Sequence, residues 1–295
     1  AMFSVMLFCM VFMLYPRASI SAKRIMAVLN TETSIENHPG NAQTDSGSGE
    51  HSVIFEHVDF VYPDGEEAVL KDISFSAKSG ETVAFIGSTG SGKSSLIQLI
   101  PRFYDRASGN IYIDGQKIED LDINALRSKI GFVPQKASLF EGSLRDNMKW
   151  GKEDATDEEI YQALDIAQAR EFVDQKEQGL DFRIEQNGGN LSGGQKQRLT
   201  IARALVRKPE ILILDDSASA LDFATDARLR KAIKENTDNM TVFLVSQRVS
   251  TIRNADHILV LDDGKIAGIG THLQLLKENQ VYKEICASQM AGEEA

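Results

Sequence analysis

A short glycine-rich run constrains this chain more than any other feature of its sequence. Residues 87–94 read Gly-Ser-Thr-Gly-Ser-Gly-Lys-Ser and fit the P-loop pattern, between an apolar run at 82–86 and a helical pattern at 95–100. Glycines let successive backbone N–H groups and a helix N-terminus face a phosphate, while the lysine adds positive charge and the serine hydroxyl can hold Mg²⁺. The sequence therefore predicts a nucleotide-binding site. Its predicted residues are Gly87, Ser88, Thr89, Gly90, Ser91, Gly92, Lys93, Ser94 and Ser95.

Short apolar runs alternate with helical patterns beyond residue 50. The candidates for buried strands are 82–86, 211–214, 241–245 and 257–261. Such alternation predicts an α/β fold with a mostly parallel sheet and helices on its faces. Residues 111–116 instead have the pattern of a strand entering a tight Asp-Gly turn, which predicts an antiparallel β portion near 55–118.

The stretch 138–208 lacks strand-like runs and has helical patterns. Thr156 and Glu159 have the spacing of a capping box at a helix start. The apolar stripe behind that start comprises Ile160, Ala163, Leu164 and Ala167. We expect a helical subdomain inserted into the sheet domain.

An apolar run that ends in a carboxylate, 211–215, suits an aspartate that anchors Mg²⁺ beside a P-loop. Many buried strands end in aspartate, so Asp215 alone is weak evidence for a metal site. The P-loop some 120 residues earlier makes that assignment persuasive. The pair predicts Asp215 and Ser94 at one metal site.

A second glycine-rich run, Leu191-Ser192-Gly193-Gly194-Gln195, precedes Lys196-Gln197-Arg198. Ser192 and Gln195 can cap a helix, which would leave the amides of Gly193 and Gly194 facing a phosphate. This run resembles the signature sequence of the ABC ATPase family. The resemblance covers residues 53 to about 285, and it implies a RecA-like P-loop core with ATP and Mg²⁺ as cofactors.

Further elements of that family follow in order. Tyr62 matches the aromatic residue that stacks on adenine, although an aromatic residue in a strand also suits a core. Gln135 matches the glutamine that links the Mg²⁺ site to the helical subdomain, and 219–222 matches the loop that contacts the opposite subunit. The run 139–147 looks like that of exporters, where the nearby surface meets the coupling helices. The resemblance thus implies Ser94, Gln135 and Asp215 as the metal-binding set.

Two positions depart from the family pattern. Asp216 stands where the family usually has a glutamate that positions or deprotonates the attacking water, and its carboxylate is one methylene shorter. Gln247 stands where the family has a histidine that contacts the γ-phosphate. Gln186 and Asn187 also replace a Glu-Arg pair that is common in exporters. Each change alone could be neutral drift, but together they resemble the degenerate-site subunit of heterodimeric ABC exporters.

The N-terminal residues 1–15 are apolar except for Ser4, and basic residues follow them. A signal peptide would carry its positive charge before the apolar run, so we prefer the cytoplasmic end of a membrane helix with further membrane helices upstream. The expected domains are 1–30 for this helix and its extension, 31–50 for a flexible linker, and 51–290 for the ATPase domain with its subdomain at 138–208.

Net charge limits the classes of partner. A charge of −11 argues against a protein that tracks nucleic-acid phosphates, and the cysteines Cys9 and Cys286 match no metal-ligand spacing. The resemblance implies a second half-transporter subunit, most simply in a heterodimer, and a transmembrane domain as partners. The expected location is the cell membrane, with the ATPase domain on the cytoplasmic side.

Two alternatives stay open at this stage. One is an ATP-dependent clamp or regulatory subunit whose own site hardly hydrolyses ATP. The other is a soluble ABC protein of nucleic-acid repair or translation, against which the acidic charge and the N-terminal residues 1–29 both argue.

Overall fold

The computed structural model describes residues 2–31, 33, 35–37, 51–217, 219–237 and 239–293. Two compact units make up the chain, Ala1–Glu36 and Asn37–Ala295. Most of the predicted linker 31–50, including its two glycine-containing segments, lies outside the described residues.

One long helix, α1 (Met2–Leu29), occupies the first unit and buries none of its residues. At about 1.5 Å per residue its 28 residues extend roughly 42 Å, more than the roughly 30 Å hydrocarbon core of a bilayer. The helix is long and apolar enough to cross a membrane, by length and composition alone. The apolar stretch and the helical pattern after it, which the sequence presents separately, are therefore one continuous helix.

The second unit contains a six-stranded sheet in the order β12-β11-β3-β10-β9-β6. Its strands are β3 (Thr82–Ile86), β6 (Ile130–Val133), β9 (Ile211–Asp215), β10 (Thr241–Val245), β11 (His257–Asp262) and β12 (Lys265–Gly270). All neighbours are parallel except β11 and β12, which are antiparallel. The four predicted strands are confirmed. The two edge strands were missed, because β6 is short and interrupted by Gly131, and β12 contains two glycines.

An antiparallel sheet in the order β2-β1-β4-β5 packs beside it. These strands are β1 (His51–Phe60), β2 (Leu70–Lys78), β4 (Ser108–Ile113) and β5 (Gln116–Lys117). The predicted Asp-Gly turn joins β4 to β5, with φ of 50° at Asp114 and 79° at Gly115. Positive φ at both central residues is the geometry of a two-residue hairpin turn, so the predicted antiparallel portion is confirmed.

The remaining helices of the second unit are mostly short. They are α2 (Lys93–Leu99), α3 (Ile123–Ser128), α4 (Leu144–Lys149), α5 (Asp157–Ile166), α6 (Arg170–Asp174), α7 (Gly193–Leu205), α8 (Phe223–Asn236), α9 (Val249–Ile252), α10 (His272–Glu278) and α11 (Gln280–Glu293).

Residues 138–208 contain α4 to α7 and two turns of 3₁₀ helix. The capping box at Thr156 is confirmed, and the four stripe residues behind it are buried. A two-residue antiparallel pair, β7 (Gly142–Ser143) with β8 (Arg183–Ile184), corrects the expectation that this stretch has no strands. Two paired residues are too few to leave a pattern in the sequence. The assignment of 138–208 as a separate subdomain stays a prediction.

Alternate residues of each central strand enter two different cores. Ala84 and Leu214 belong to a cluster packed with α5, α7 and α8, whereas Phe85 and Ile213 belong to a cluster packed with α2 and the antiparallel sheet. Strand side chains alternate between faces, so both faces of the parallel sheet are covered. The carboxyl ends of β3, β9 and β10 are consequently left as the edge where loops can meet a ligand.

Candidate nucleotide-binding site

The P-loop connects the carboxyl end of β3 to the first residue of α2. Gly87 passes so close to the neighbouring strand that an added Cβ would lie 2.2 Å from the carbonyl oxygen of Leu261. Gly92 has φ of +96°, and an added Cβ there would lie 2.7 Å from Leu70 Cδ2. Only glycine fits these two positions, which explains the glycine pattern by close approach and by backbone conformation.

Lys93 turns its ammonium group back over the loop. Its Nζ donates to the carbonyl oxygens of Gly87 at 2.8 Å and Ser88 at 2.7 Å. Burial lowers the pKa of Lys93, against the opposing effect of the carboxylates of Asp216 and Asp215. The Lys93 ammonium group is thereby held against the loop by two of the loop's own carbonyl oxygens.

Ser94 and Asp215 meet at the base of the site. Ser94 Oγ donates to Asp215 Oδ1 at 3.0 Å, and Asp215 is buried as the last residue of β9. Burial raises the pKa of Asp215, and the neighbouring charge of Asp216 raises it further, while the hydrogen bond from Ser94 lowers it. Two oxygen ligands of the kind that Mg²⁺ prefers are thus paired beside the P-loop.

Asp216 follows directly and turns away from the strand, with φ of +44°. Its Oδ2 accepts a hydrogen bond from Gln135 Nε2 at 3.3 Å, and its backbone N–H donates to the carbonyl of Val245. Burial raises the pKa of Asp216, against the hydrogen bond from Gln135 and the charge of Arg248. Aspartate tolerates left-handed backbone better than most residues, which suits this turn.

Gln247 lies in the loop that follows β10. The next residue, Arg248, joins this loop to 219–222, because its guanidinium donates to the carbonyls of Ser219 at 3.3 Å and Leu221 at 3.5 Å. Ser219 in turn donates its hydroxyl to the carbonyl of Asp216 at 2.8 Å. The loops that carry Asp216, Ser219 and Gln247 therefore form one hydrogen-bonded group.

These residues surround a cleft of about 230 Å³. Its lining comprises Val69, Thr89, Gly90, Gly92, Lys93, Ser94, Ser95, Gln135, Asp215, Asp216, Val245 and Gln247. Ten of these twelve were predicted site residues. Val69 and Val245 were missed, because an isolated valine at a strand end carries no chemical pattern.

Tyr62 lies next to this cleft without lining it. Its hydroxyl is 2.9 Å from Ser95 Oγ, and its half-buried ring packs edge-on against Phe60 and Tyr104. The ring is thus held by residues that belong to or pack against the core. This agrees with the alternative, given by the sequence, that an aromatic residue in a strand serves the core. Stacking of Tyr62 on adenine stays a prediction.

The signature residues stand apart from the cleft lining, at the start of α7. Ser192 Oγ accepts from the Gln195 N–H at 3.3 Å, and Gln195 Oε1 accepts from the Ser192 N–H at 2.9 Å. The predicted capping pair is confirmed. Among the described residues, and leaving aside its chain neighbours and the backbone of its own helix, no atom lies within 4 Å of a Cβ added at Gly193, so the helix start is open there. None of the four residues from Ser192 to Gln195 lines the cleft described above.

The donor set of the cleft fits Mg²⁺ and a nucleoside triphosphate. Loop N–H groups and Lys93 suit phosphate oxygens, and Ser94, Gln135 and Asp215 supply the oxygen ligands for a hard cation. Within the described ranges, no cluster of three His, Cys, Asp or Glu side chains offers a competing metal site. When bound, Mg²⁺ would neutralise phosphate charge at this place.

A strand that leads into a glycine loop with a buried lysine, and a serine at the start of α2 paired with the aspartate that ends β9, define a P-loop nucleotide-binding protein. The chain belongs to the ABC transporter family, whose profile matches residues 70–219.

Relatives and a solved structure agree with this assignment. The ABC transporter ATP-binding protein YfiB of Bacillus subtilis is 47% identical over 97% of this chain. A candidate multidrug export ATP-binding/permease protein of Staphylococcus aureus is 44% identical over 80% of the chain. The structure of a bacterial Atm1-family ABC exporter with ATP bound superposes with a TM-score of 0.87 at 34% identity, over 95% of this chain and 49% of that one. The chain spans 49% of the length of YfiB, about half of this relative.

Proposed function

We propose that this chain is the ATP-binding part of an ABC exporter, which couples binding and hydrolysis of ATP to export of a substrate. The contact between Ser94 Oγ and Asp215 Oδ1 carries the proposal, because it joins the P-loop to the strand end that a Mg²⁺-nucleotide site needs. The likeness to an ATP-bound exporter of the Atm1 family supports the direction of transport.

The proposed location is the cell membrane, with the ATPase domain on the cytoplasmic side. Helix α1 supports it, because it buries none of its residues and is apolar and long enough for a bilayer. In this arrangement α1 is the end of a membrane helix, and the nucleotide site acts on a transmembrane domain to which α1 belongs.

The chain's own site is proposed to hydrolyse ATP slowly. Asp216 has a carboxylate one methylene shorter than glutamate, which is a retreat of roughly 1.5 Å, and misplacement by about 1 Å can cost around 10²-fold in rate. Its carboxylate also already accepts a hydrogen bond from Gln135. Gln247 can donate through its amide but cannot carry the positive charge that a histidine can.

The proposed partner is a second half-transporter in a heterodimer. ATP held by one P-loop would lie against the signature of the opposite subunit, so that Ser192, Gly193 and Gly194 serve the partner's site. The confirmed cap at Ser192 and the open position at Gly193 support a helix start that can face a phosphate.

A second candidate is a clamp that binds ATP and hardly hydrolyses it. The raised pKa of Asp216 favours this alternative in one respect, because burial already opposes the charged form before any phosphate arrives.

Single-turnover hydrolysis separates the two candidates. The full chain, in excess over radiolabelled Mg-ATP, is expected to release phosphate slowly but faster than an Asp216→Asn variant does. Equal rates for the two proteins, with Mg-ATP bound by both, would support the clamp instead. Failure of both proteins to bind Mg-ATP would overturn the nucleotide site itself.

A further inference from the structure

The C-terminal helix α11 is firmly anchored beside the site. Tyr282 and Cys286 are buried in the same core cluster as Leu214 and Leu244 of the central strands. The Tyr282 hydroxyl is 2.7 Å from His272 Nδ1 of the preceding helix. Gln289 follows these buried residues at helical spacings of seven and three, so it lies on the same face of α11.

Gln289 spans the loop that carries Gln247. Its Nε2 donates to the carbonyl oxygen of Gln247 at 2.6 Å, and its Oε1 accepts from the N–H of Val249 at 2.8 Å. The two bonds bracket Arg248. The side-chain amide of Gln289 thus pairs with a carbonyl oxygen before Arg248 and with an N–H after it. If the amide were flipped, its oxygen would face the carbonyl oxygen and its NH₂ group would face the N–H, so both hydrogen bonds would be lost.

The same loop is held on its other side by Arg248, whose guanidinium reaches the carbonyls of Ser219 and Leu221. The backbone between Ser246 and Val249 is therefore fastened from two directions. The side chain of Gln247, by contrast, is exposed and lines the nucleotide cleft. Its position depends on the backbone that Gln289 holds.

We propose that Gln289 is a positioning residue, which fixes the backbone at Gln247 and Val249 so that the Gln247 amide stays in place at the nucleotide cleft. The inference rests on the proposed function, in which Gln247 serves the γ-phosphate. Gln289 itself does not line the cleft. By this assignment the C-terminal helix α11 contributes to the nucleotide site, although Gln289 lies 42 residues beyond Gln247 along the chain.

Two substitutions at this position test the inference in the full chain. Gln289→Met keeps the size of the side chain and removes both hydrogen bonds. Gln289→Glu keeps the acceptor for Val249 N–H but loses the donor to Gln247. The matched control is Gln280→Met, because Gln280 is an exposed glutamine of the same helix whose amide donates to Glu284 one turn further along it.

The single-turnover rate is expected to fall about tenfold in Gln289→Met, because a loop shift of well under 1 Å already costs a substantial part of the roughly 10²-fold penalty. The Kd for Mg-ATP is expected to stay within about twofold, since the P-loop is untouched. Hydrogen exchange at the Val249 amide is expected to accelerate in Gln289→Met and to stay slow in Gln289→Glu. Gln280→Met is expected to match the parent in all three measurements.

Gln247→Ala serves as the reference for interpreting these results. If it lowers the rate and neither Gln289 variant does, the positioning inference is overturned and the proposed function stands. If Gln247→Ala leaves the rate unchanged, the proposed role of Gln247 is wrong and the inference falls with it. A parallel loss of rate, ATP affinity and thermal stability in both Gln289 variants would indicate only a structural role and would likewise overturn the inference.

Discussion

Gln135 Nε2 donates to Asp216 Oδ2 at 3.3 Å, across 81 residues of sequence. The hydrogen bond occupies one oxygen of the carboxylate that follows the strand-end aspartate of the site. Burial is the largest influence on this carboxylate and raises its pKa, whereas the hydrogen bond from Gln135 opposes that shift and fixes the direction of the side chain. Lengthening the side chain and restoring an imidazole at 247 would address both departures of this site.

We therefore expect Asp216→Glu with Gln247→His to raise hydrolysis at this site by about 10- to 100-fold, if general-base positioning limits the rate. The measurement is single-turnover ATP hydrolysis in the presence of a partner with an intact signature. Each single change should give a smaller increase than the pair. Glutamate tolerates the positive φ at 216 less well than aspartate, so a thermal melt is the accompanying control. A flat rate in a well-folded double variant would contradict the slow-site proposal.

Lys93→Ala is expected to weaken Mg-ATP binding by about 10- to 100-fold, because charge-assisted hydrogen bonds to phosphate contribute roughly 1.5–3 kcal/mol. Isothermal titration of Mg-ATP measures the change. Lys231→Ala is a suitable control, since Lys231 is an exposed lysine that pairs with Glu235 on the same helix, α8. Unaltered affinity in Lys93→Ala would remove the P-loop assignment.

The signature is expected to act on the partner's nucleotide. In a reconstituted pair, Ser192→Arg in this chain should lower steady-state ATPase by about 10²- to 10³-fold, the typical loss of one donor that stabilises developing charge. Asp216→Ala in this chain should lower it far less, because that carboxylate serves the slow site. Comparable losses from the two changes would show that this chain's own site carries the turnover.

The cap at Thr156 is expected to stabilise the fold without acting on nucleotide. Thr156→Ala removes the hydroxyl that accepts from the Glu159 N–H, and loss of such a cap typically costs about 1 kcal/mol. Urea unfolding should show a lower midpoint with an unchanged slope. Thr156→Ser retains the hydroxyl and should stay close to the parent, which separates the cap from a packing effect.

Glu159 should make stability dependent on pH in the acid range. The hydrogen bond from Lys152 holds the pKa of the Glu159 carboxyl below its ordinary value. The folded pKa is thus below the unfolded one, so the stabilisation is complete above about pH 4.3 and is lost as pH falls through the lower folded pKa. Glu159→Gln should destabilise the domain near neutral pH and much less in acid, by urea titration at each pH. Glu158→Gln, at an exposed neighbouring position, should shift neither condition.

Local chemistry made much of the fold predictable from sequence. Four central strands, the Asp-Gly turn and the capping boxes at Thr156 and Ser192 depend on residues a few positions apart, and their patterns are visible in the chain itself. The P-loop is also visible as a local sequence pattern, although two of its glycines are required by close approaches to Leu261 and Leu70, which are distant in sequence. The edge strands β6 and β12 were not predicted from the sequence, since their formation depends on the strand beside them rather than on their own composition.

Contacts across long sequence separations were decided only by the tertiary structure. The order of strands in the parallel sheet brings Ser94 to Asp215, and the turn after β9 sets Asp216 against Gln135. The docking of α11 sets Gln289 on the loop of Gln247, and no local pattern marks that glutamine. Residue types alone determined which phosphate and metal chemistry this chain can offer, because glycine, lysine, serine and aspartate each have fixed capabilities. Which of those groups meet was determined by packing, because a hydrogen bond needs its partners within about 3 Å and only the folded core holds them there.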